Sequence, residues 1–239
     1  CTEWYMQNDP EHLLELSNGK KKLPLTDKKD ILTKCIYGVD IDVHAVEVSK
    51  FSLLIKLIED ETPASVKECV PILPDLSSNI KNGNSLICRE DIHGKELPIE
   101  VLCNIKPFEW ETINGGAKFD AIVGNPPYVK TEDIHTLETE EEFAVYKKKY
   151  KSAYKQFDKY FLFLEKAFDL LKEDGQMCYI VPNKFYKIGA GQELRRITAK
   201  YVSKLDDFGD MQLFPDKTIY SCIITLCKEC NKQLQYTNV

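Results

Sequence analysis

Short apolar runs alternate with longer amphipathic segments along this chain, and this alternation restricts the possible fold more than any other feature. It predicts strands at 35–40, 84–87, 119–124, 176–182, 203–208 and 218–227. It predicts helices at 3–17, 45–58, 157–172 and 191–200, and a short helix after Thr26. Strands separated by helices imply βαβ crossovers, so the predicted class is α/β, with a mostly parallel sheet flanked by helices. The last two strands are joined by too few residues for a crossover helix, which predicts an antiparallel C-terminal strand.

Composition and charge narrow the classes of protein to which the chain can belong. Of its 239 residues 43% are hydrophobic and 29% charged, as in ordinary globular proteins of one or two domains. The formal net charge of −6 argues against a wholly basic, histone-like nucleic-acid binder but is compatible with a local basic groove. No run approaches the roughly 18 to 20 apolar residues of a membrane span. The N-terminus lacks the layout of a secretory signal, so we expect a cytoplasmic protein that does not enter a membrane.

Nine cysteines are scattered along the chain, and most lie inside apolar runs such as those around Cys35 and Cys222. An odd, scattered set without an export signal favours buried free thiols in a reducing compartment over a disulfide framework. Cys227 and Cys230 form the only CxxC pair in the sequence. Because a zinc site needs further ligands at metal spacing, we expect no metal.

Ligands of open α/β sheets lie beyond the carboxyl ends of strands, and Asp40 stands at the first such end. Its carboxylate can accept hydrogen bonds from both hydroxyls of a ribose, and the neighbouring Ile41 can press on the face of a nucleobase. An acid that merely caps the following helix explains the position equally well, and Asp42 could also fill that role. The residues alone leave this choice open.

The motif NGNSL places Asn84 at a second strand end. Its side-chain amide offers both a donor and an acceptor, which matches the edge of an adenine. Asn and Gly pairs more often mark only a turn. The pattern by itself favours the turn, and a contact with an adenine is the alternative.

The third strand end carries the most informative pattern, FDAIVGNPPYVK. Asn125, Pro126, Pro127 and Tyr128 directly follow the apolar run at 119–124, which we expect to be a buried strand. Two consecutive prolines fix the backbone and contribute no N–H, so the local carbonyls are available as acceptors beside the Asn125 amide oxygen. Two such acceptors suit an exocyclic amino group, and the Tyr128 ring can stack on a base. A proline-containing loop with a packed tyrosine is the structural alternative, which the ribose-binding candidate upstream disfavours.

A charged and aromatic segment follows at 130–156. Glutamates within 138–142 precede a series of lysines that extends from Lys147 to Lys159. Such a charge run favours a solvated loop or helix face. A strip of lysines that faces DNA phosphates is the alternative.

These motifs resemble those of the amino-methylating, S-adenosylmethionine-dependent methyltransferases, whose [DNS]PP[YFW] signature stands here at 125–128. With IYGVDIDVHAVEVSKFSLLIKL, NGNSL, the segment 157–182 and FPDKTIYSCIITL in the same order, the chain is similar to the adenine-N6 DNA methyltransferase domains of type IIG restriction–modification enzymes. The resemblance covers about residues 1–228. It implies a class I, Rossmann-like fold, S-adenosylmethionine as cofactor, and double-stranded DNA with a flipped adenine as partner.

For the cofactor, the resemblance implies contacts from four positions of this sequence. Asp40 would hold the ribose of S-adenosylmethionine, and Ile41 would pack on the adenine of the cofactor. Asn84 would contact the edge of that adenine, and Asn125 would also contact the cofactor.

For the substrate, the resemblance implies that Asn125 and the Pro126 carbonyl bind the target amino group, on a backbone that Pro127 helps to fix. Tyr128 would stack on one face of the extruded base. Phe214 would pack on the other face, although a core phenylalanine explains that position equally well.

Two departures from the family pattern concern the cofactor and the DNA. Family members carry a glycine-rich cofactor loop of the form DPACGSGSF, and this sequence has no such motif. The target-recognition domain expected downstream of residue 230 is absent from the sequence, as is any nuclease motif. We therefore expect residues 1–239, which begin with Cys rather than Met, to be a partial methyltransferase catalytic domain. Methylation would then require the remaining domains of a parent restriction–modification protein.

Two other functions stay open at the level of the sequence. The PPY loop is shared by methyltransferases that act on a glutamine side chain of a protein or on a guanine of RNA. The non-enzymatic alternative is a fragment that contributes scaffold or a DNA-contacting surface. Cofactor binding would separate these classes, because a scaffold needs none.

Overall fold

The computed structural model describes residues 2–16, 19–94, 96–213, 219–229 and 233–239. The α-helices in these residues are α1 (Thr2–Asn8), α2 (Leu25–Cys35), α3 (Val43–Ile58), α4 (Pro63–Glu68), α5 (Ile99–Ile105), α6 (Thr131–Leu137), α7 (Glu140–Lys149), α8 (Lys159–Leu170) and α9 (Gln192–Thr198). The strands are β1 (Leu14–Glu15), β2 (Lys21–Lys22), β3 (Gly38–Asp40), β4 (Ile80–Asn82), β5 (Phe119–Gly124), β6 (Leu171–Pro182), β7 (Val202–Gln212), β8 (Tyr220–Cys227) and β9 (Gln235–Asn238). The chain divides into two compact units, Cys1–Gly83 with Glu111–Gly115, and Asn84–Trp110 with Gly116–Val239.

The first unit contains a parallel strand pair with a helix between the two strands in sequence. β3 pairs with β4 in parallel, and Asp40 stands opposite Asn82. α3 follows Asp42, whose side chain accepts a hydrogen bond from the backbone N–H of His44 at 2.8 Å. One cluster of buried side chains comes from α2, α3 and the chain up to β4, and consists of Leu25, Leu32, Val46, Leu57, Leu76 and Ile80. The predicted strand–helix order around Asp40 is therefore confirmed.

The second unit contains a five-stranded sheet in the order β5-β6-β8-β7-β9. β6 is parallel to β5, β8 is antiparallel to both β6 and β7, and β9 is parallel to β7. The predicted α/β class is confirmed, as is the antiparallel orientation of the strand predicted at 218–227. β9 is an additional strand that the sequence pattern did not reveal.

α8 supplies the centre of the core of the second unit. Bulky apolar residues recur along one face of its sequence, and its buried side chains are Tyr160, Phe161, Leu162, Leu164 and Ala167. Complete burial of a side chain the size of leucine or phenylalanine contributes about 1.5–3 kcal/mol to folding. The helix ends at Leu170 and β6 begins at the next residue, so the helix is fixed directly to the strand beside β5. The helix predicted at 157–172 is therefore confirmed, with ends that differ by two residues.

The helix predicted at 3–17 is wrong beyond its first half. α1 ends at Asn8, a 3-10 turn follows at Pro10–His12, and β1 begins at Leu14. Pro10 has no backbone N–H and its ring clashes with the preceding turn, so an α-helix cannot run through it.

The strand predicted at 84–87 is also wrong. β4 occupies Ile80–Asn82 instead, and Asn84 makes a single-residue parallel bridge to Pro107. The side-chain amide of Asn84 accepts a hydrogen bond from the backbone N–H of Leu86 at 3.0 Å, which bends the chain away from an extended path. Asn and Gly in this motif thus act as turn residues, as their local propensity favours.

The expectation that 119–124 is a buried strand is wrong in one respect. The run does form β5, but in the described sheet this strand lies at an edge beside β6, and Val123 is 80% exposed. A short apolar run predicts a strand, but it does not tell whether a neighbour covers each side of that strand. One edge of β5 therefore presents backbone N–H and C=O groups that no described strand pairs.

The structure also bears on the thiols and on membrane insertion. The described cysteines are free thiols, as predicted, and are Cys35, Cys69, Cys88, Cys103, Cys178, Cys222 and Cys227. Their predicted burial is wrong for most of them, since Cys222 alone in this set is buried and Cys35 and Cys103 are exposed. Cys230 lies outside the described residues.

None of the helices in the described ranges is both long enough and apolar enough to cross a membrane.

Candidate active site

Residues 125–128, here called the NPPY loop, leave the carboxyl end of β5 directly after Gly124. Gly124 stands opposite Tyr179 of the parallel strand β6. A Cβ atom at Gly124 would lie 2.9 Å from the Tyr179 ring, so the strand can pass this buried ring only where it has no side chain. Within the loop Asn125 is exposed, Pro126 is buried and Tyr128 is half-buried. The loop thus presents Asn125 and Pro127 to solvent, while Pro126 is buried and Tyr128 packs partly inward.

Hydrogen bonds of its hydroxyl fix Tyr128 in place. The hydroxyl oxygen lies within hydrogen-bond distance of two acceptors, the Asn125 Oδ1 atom at 2.6 Å and the Ile180 carbonyl oxygen at 3.0 Å. The Tyr128 ring meets the Tyr160 ring edge to face, with centroids 6.1 Å apart. Burial raises the pKa of Tyr128 to about 12, so the hydroxyl keeps its hydrogen at neutral pH and can donate. The structure therefore brings the predicted residues Asn125 and Tyr128 into direct contact.

The chain after the NPPY loop is fixed to the start of α8. The backbone N–H of Lys159 donates to the Val129 carbonyl at 2.8 Å, and Lys130 forms an antiparallel bridge with Asp158. The hydroxyl of Thr131 donates to the Phe157 carbonyl. The two ends of the loop are therefore held by a strand on one side and by the core helix on the other.

The turn after β6, at Asn183–Tyr186, lies beside the same strand end and is held by residues that the motifs did not single out. The buried Tyr160 hydroxyl donates to the Pro182 carbonyl at 3.1 Å. Lys184 forms an ion pair with the buried carboxylate of Asp158 at 2.8 Å. The sequence indicated this region only through the general similarity of 157–182 to the family. That similarity did not identify the individual residues that contact one another here.

Asp207 of β7 gathers several donors from neighbouring elements. It accepts hydrogen bonds from Asn183 Nδ2 at 2.9 Å, from the Gly209 N–H at 3.1 Å, and from the hydroxyls of Tyr186 and Tyr236. Burial by itself raises the pKa of this carboxyl, but these hydrogen bonds, that of Tyr186 first, outweigh burial and hold the pKa below its ordinary value. Asp207 is therefore ionised, and its carboxylate joins the turn after β6 to both β7 and β9.

The side chain of Asn84 is buried and engaged inside the second unit. Its Nδ2 donates to Glu142 Oε1 at 3.3 Å, and its Oδ1 accepts from the Leu86 N–H at 3.0 Å. A side-chain hydrogen-bond interaction also joins Asn84 to Tyr146. Burial raises the pKa of Glu142, with the backbone bond from Thr139 opposing it. The contact between Asn84 and a cofactor adenine stays a prediction.

Asp40 and Ile41 belong to the first unit, and both are exposed, Asp40 as the last residue of β3 and Ile41 directly after it. Asp40 Oδ1 accepts a hydrogen bond from the Asp42 N–H at 2.8 Å. Asp42 itself is the N-cap of α3, so the capping role that the sequence left open falls to Asp42. A carboxylate accepts several hydrogen bonds, so Asp40 retains the capacity that a ribose needs. Its role and that of Ile41 stay predictions.

The remaining candidates are Phe214 and the lysine series. Phe214 lies outside the described residues. Lys147 donates to the Ala153 and Lys155 carbonyls at 3.0 Å, Lys149 pairs with Asp91, and Lys159 pairs with Glu138. Lys149 and Lys159 are only partly exposed, whereas Lys147, Lys148, Lys151 and Lys155 are exposed. In the described part of the chain, no group of three or more His, Cys, Asp or Glu side chains could hold a metal ion.

Comparison of the sequence with known proteins identifies relatives. The family model "Eco57I restriction-modification methylase" matches residues 34–214. The type II restriction enzyme and methyltransferase RM.Eco57I of Escherichia coli is 44% identical over 99% of this chain, which covers 23% of that protein. The type II methyltransferase M.BstVI of Geobacillus stearothermophilus is 39% identical over 35% of this chain and 14% of its own length. The chain thus spans less than a quarter of either relative.

Comparison of the fold with solved structures gives proteins that are distant in sequence. A nuclease-deletion mutant of the type ISP enzyme LlaGI in complex with a DNA substrate mimic matches with a TM-score of 0.60 and 15% identity, over 90% of this chain and 19% of that one. The DrdV–DNA complex matches with a TM-score of 0.59 and 15% identity, over 91% of this chain and 22% of that one. At such identities the likeness shows a shared fold. Since the family model covers most of its length, the chain belongs to the Eco57I restriction-modification methylase family.

Proposed function

We propose that this chain carries the catalytic residues of an S-adenosylmethionine-dependent methyltransferase that acts on the N6 amino group of adenine in DNA. The observation that carries the proposal is the NPPY loop, with an exposed Asn125 at a strand end and a Tyr128 ring held beside it by its hydroxyl. The relative RM.Eco57I is named as a restriction enzyme and methyltransferase, and the LlaGI structure contains a DNA substrate mimic. Both names support DNA as the substrate class.

The chemical task of the loop is to make a poor nucleophile reactive. The lone pair of an adenine amino group is delocalised into the ring. Acceptors at Asn125 and at the Pro126 carbonyl would hold its two N–H bonds and favour a tetrahedral nitrogen, which frees the lone pair for attack on a methyl carbon. As the nitrogen–carbon bond forms, the bond from the methyl carbon to the sulfonium sulfur would break, with its electron pair left on sulfur. Positive charge would develop on the nitrogen, and the same two oxygens would stabilise that charge until a proton leaves to water.

Three of the predicted residues offer groups that match the ribose and the adenine of S-adenosylmethionine. S-adenosylmethionine supplies an electrophilic methyl group when it is bound. The exposed carboxylate of Asp40 suits ribose hydroxyls, the exposed Ile41 suits an adenine face, and the side-chain amide of Asn84 has the donor and acceptor types of an adenine edge. Each of these contacts is part of the proposal.

The target amino group lies inside a DNA duplex, so the base must leave the stack before it can react. Extrusion costs a few kcal/mol, and stacking on an aromatic side chain offsets part of that cost. Tyr128 offers such a ring at the loop, and Phe214 is the proposed second contact. Because the chain spans 23% of RM.Eco57I, we propose that recognition of the DNA sequence and any cleavage reside in other parts of a parent protein.

The test is the substitution Asn125→Ala in the full-length protein that contains this chain. Loss of one of two aligned acceptors should lower methyl transfer to plasmid DNA by at least about 100-fold, while binding of S-adenosylmethionine measured by calorimetry stays within about twofold. The matched control is Asn104→Ala, an exposed asparagine on α5, which should methylate like the wild type. Retained methylation by the Asn125→Ala enzyme would contradict the assigned role.

The same assay separates the alternative substrates. Transfer of a labelled methyl group followed by nuclease digestion should yield N6-methyladenine. Label found in a glutamine of a protein or in a guanine of RNA would replace DNA adenine as the substrate. No transfer and no cofactor binding in the full-length protein would favour the scaffold alternative.

A further inference from the structure

The Tyr128 hydroxyl faces two acceptors but carries a single hydrogen. Asn125 Oδ1 lies 2.6 Å from the hydroxyl oxygen and the Ile180 carbonyl oxygen lies 3.0 Å from it. A hydroxyl can donate to one acceptor at a time and can accept from other donors through its lone pairs. The two oxygens therefore compete for one hydrogen.

Rotation of the Asn125 amide by about 180° removes this competition, because it exchanges the positions of Oδ1 and Nδ2. Nδ2 then donates to the Tyr128 hydroxyl oxygen, and the hydroxyl donates its hydrogen to the Ile180 carbonyl. Every group in this chain of hydrogen bonds has a partner of the correct kind. The Asn125 oxygen then points away from Tyr128, on the exposed side of the loop.

From this geometry we propose that the Tyr128 hydroxyl is a positioning group that sets the orientation of the Asn125 amide, so that its oxygen faces the target amino group. The inference rests on the proposed function and adds a second task to the residue whose ring is proposed to stack on the base. The Ile180 carbonyl fixes the direction of the hydroxyl hydrogen from the neighbouring strand β6. The hydroxyl then offers Asn125 only a lone pair, which selects the amide nitrogen.

The orientation of the Asn125 amide matters because the target amino group is itself a hydrogen-bond donor. An amide that turned its NH₂ group outward would meet the amino group of adenine with donor against donor, and one of the two proposed acceptors would be lost. Burial raises the pKa of Tyr128 to about 12, so the hydroxyl keeps its hydrogen at neutral pH. The hydrogen that bonds Ile180 is therefore always present.

The test is a double-mutant cycle in the full-length protein, with Tyr128→Phe made both in the wild-type enzyme and in the Asn125→Asp enzyme. Phenylalanine keeps the ring but removes the hydroxyl, so kcat for methyl transfer should fall about tenfold while KM for DNA changes less than about twofold. Aspartate presents an oxygen whichever way it turns, and the family signature admits it at this position. In the Asn125→Asp enzyme, Tyr128→Phe should therefore lower kcat by less than about twofold.

A binding measurement covers the case in which the Asn125→Asp enzyme is inactive. It uses duplexes with the site that the wild-type enzyme methylates, carrying at the target position either adenine or purine, which lacks the amino group. The wild type should bind the adenine duplex several-fold more tightly, and Tyr128→Phe should lose this preference. The matched control is Tyr150→Phe, which removes a buried hydroxyl that donates to the Leu86 carbonyl at 2.6 Å, and it should keep the preference.

The outcomes separate the inference from the proposed function. A wild-type enzyme that methylates no DNA would overturn the proposed function itself. An active wild type with a Tyr128→Phe enzyme of unchanged kcat and unchanged preference for adenine would overturn the positioning role alone. An equal penalty of Tyr128→Phe in the wild-type and the Asn125→Asp backgrounds would assign the hydroxyl a purely structural role and would also overturn the inference.

Discussion

At the scale of residues, the NPPY loop depends on a position that has no side chain. Gly124 is the last residue of β5, and the buried ring of Tyr179 on β6 occupies the space that a Cβ at Gly124 would need. A residue of any other type would push on this ring or displace the strand that carries Asn125. The glycine before Asn-Pro-Pro-Tyr is thus explained by packing rather than by a left-handed backbone.

The corresponding prediction concerns Gly124→Ala. The added methyl group would lie 2.9 Å from the Tyr179 ring, and such overpacking should lower the free energy of unfolding by about 1–3 kcal/mol. Urea unfolding measures the effect, and methyl transfer by the full-length protein should fall with it because the loop moves. Gly189→Ala is the control, since a Cβ there meets nothing within 4 Å. Equal stability of the two variants would argue against the packing explanation.

Residues of the site also show where sequence reasoning ends. The close spacing of Asn125 and Tyr128 predicted two groups that act together, and the structure places them in hydrogen-bond contact. The partner of the Tyr128 hydroxyl, the Ile180 carbonyl, is a backbone atom 52 positions away. No residue type marks a backbone carbonyl, so the sequence could not indicate it.

At the scale of elements, a single carboxylate connects the turn after β6 to the far side of the sheet. Asp207 on β7 accepts hydrogen bonds from Asn183 and Tyr186 in that turn and from Tyr236 on β9. Each hydrogen bond to a charged group contributes about 1.5–3 kcal/mol when its partner is buried. The turn beside the NPPY loop is therefore fixed by an element that is distant from the loop in sequence.

We predict that Asp207→Asn lowers the free energy of unfolding at pH 7 by about 2 kcal/mol. The folded pKa of Asp207 is held below its ordinary value of 3.8, so the stability that the carboxylate contributes is present above that value and is lost as the pH falls through the lower folded pKa. The difference between wild type and variant should therefore shrink between about pH 4 and pH 2. Asp174→Asn, an exposed acid on β6, is the control. If the difference in free energy of unfolding between the wild type and Asp207→Asn did not change with pH, Asp207 would not be charged in the folded protein.

At the scale of the whole molecule, the described residues form two compact units with separate clusters of buried side chains. The larger cluster centres on α8 and the strands β6 and β8, and Tyr128 of the NPPY loop packs against it. Leu164 on α8 is completely buried in it, whereas Leu137 at the end of α6 is 70% exposed. Stability and the geometry of the loop therefore depend on the same core.

This difference in burial gives a prediction for two leucines. Leu164→Ala should lower the free energy of unfolding by about 2–5 kcal/mol, because it removes buried apolar surface and leaves a cavity. Leu137→Ala should change it by less than about 0.5 kcal/mol. Denaturant unfolding of both variants provides the measurement, and a similar loss in each would show that α8 is not the centre of the core.

The sequence by itself determined the class of fold, the order of its main strands and helices, and the place of the NPPY loop at the end of a strand. These features depend on residue type and short spacing, such as the apolar face of α8 or the two prolines after Asn125, and both are local properties. Tertiary structure alone decided that β5 lies at an edge of the described sheet, that Asn84 turns toward Glu142, and which atoms hold Tyr128. Those outcomes depend on contacts between distant segments and on which surfaces neighbours cover, and a periodicity of apolar residues carries neither kind of information.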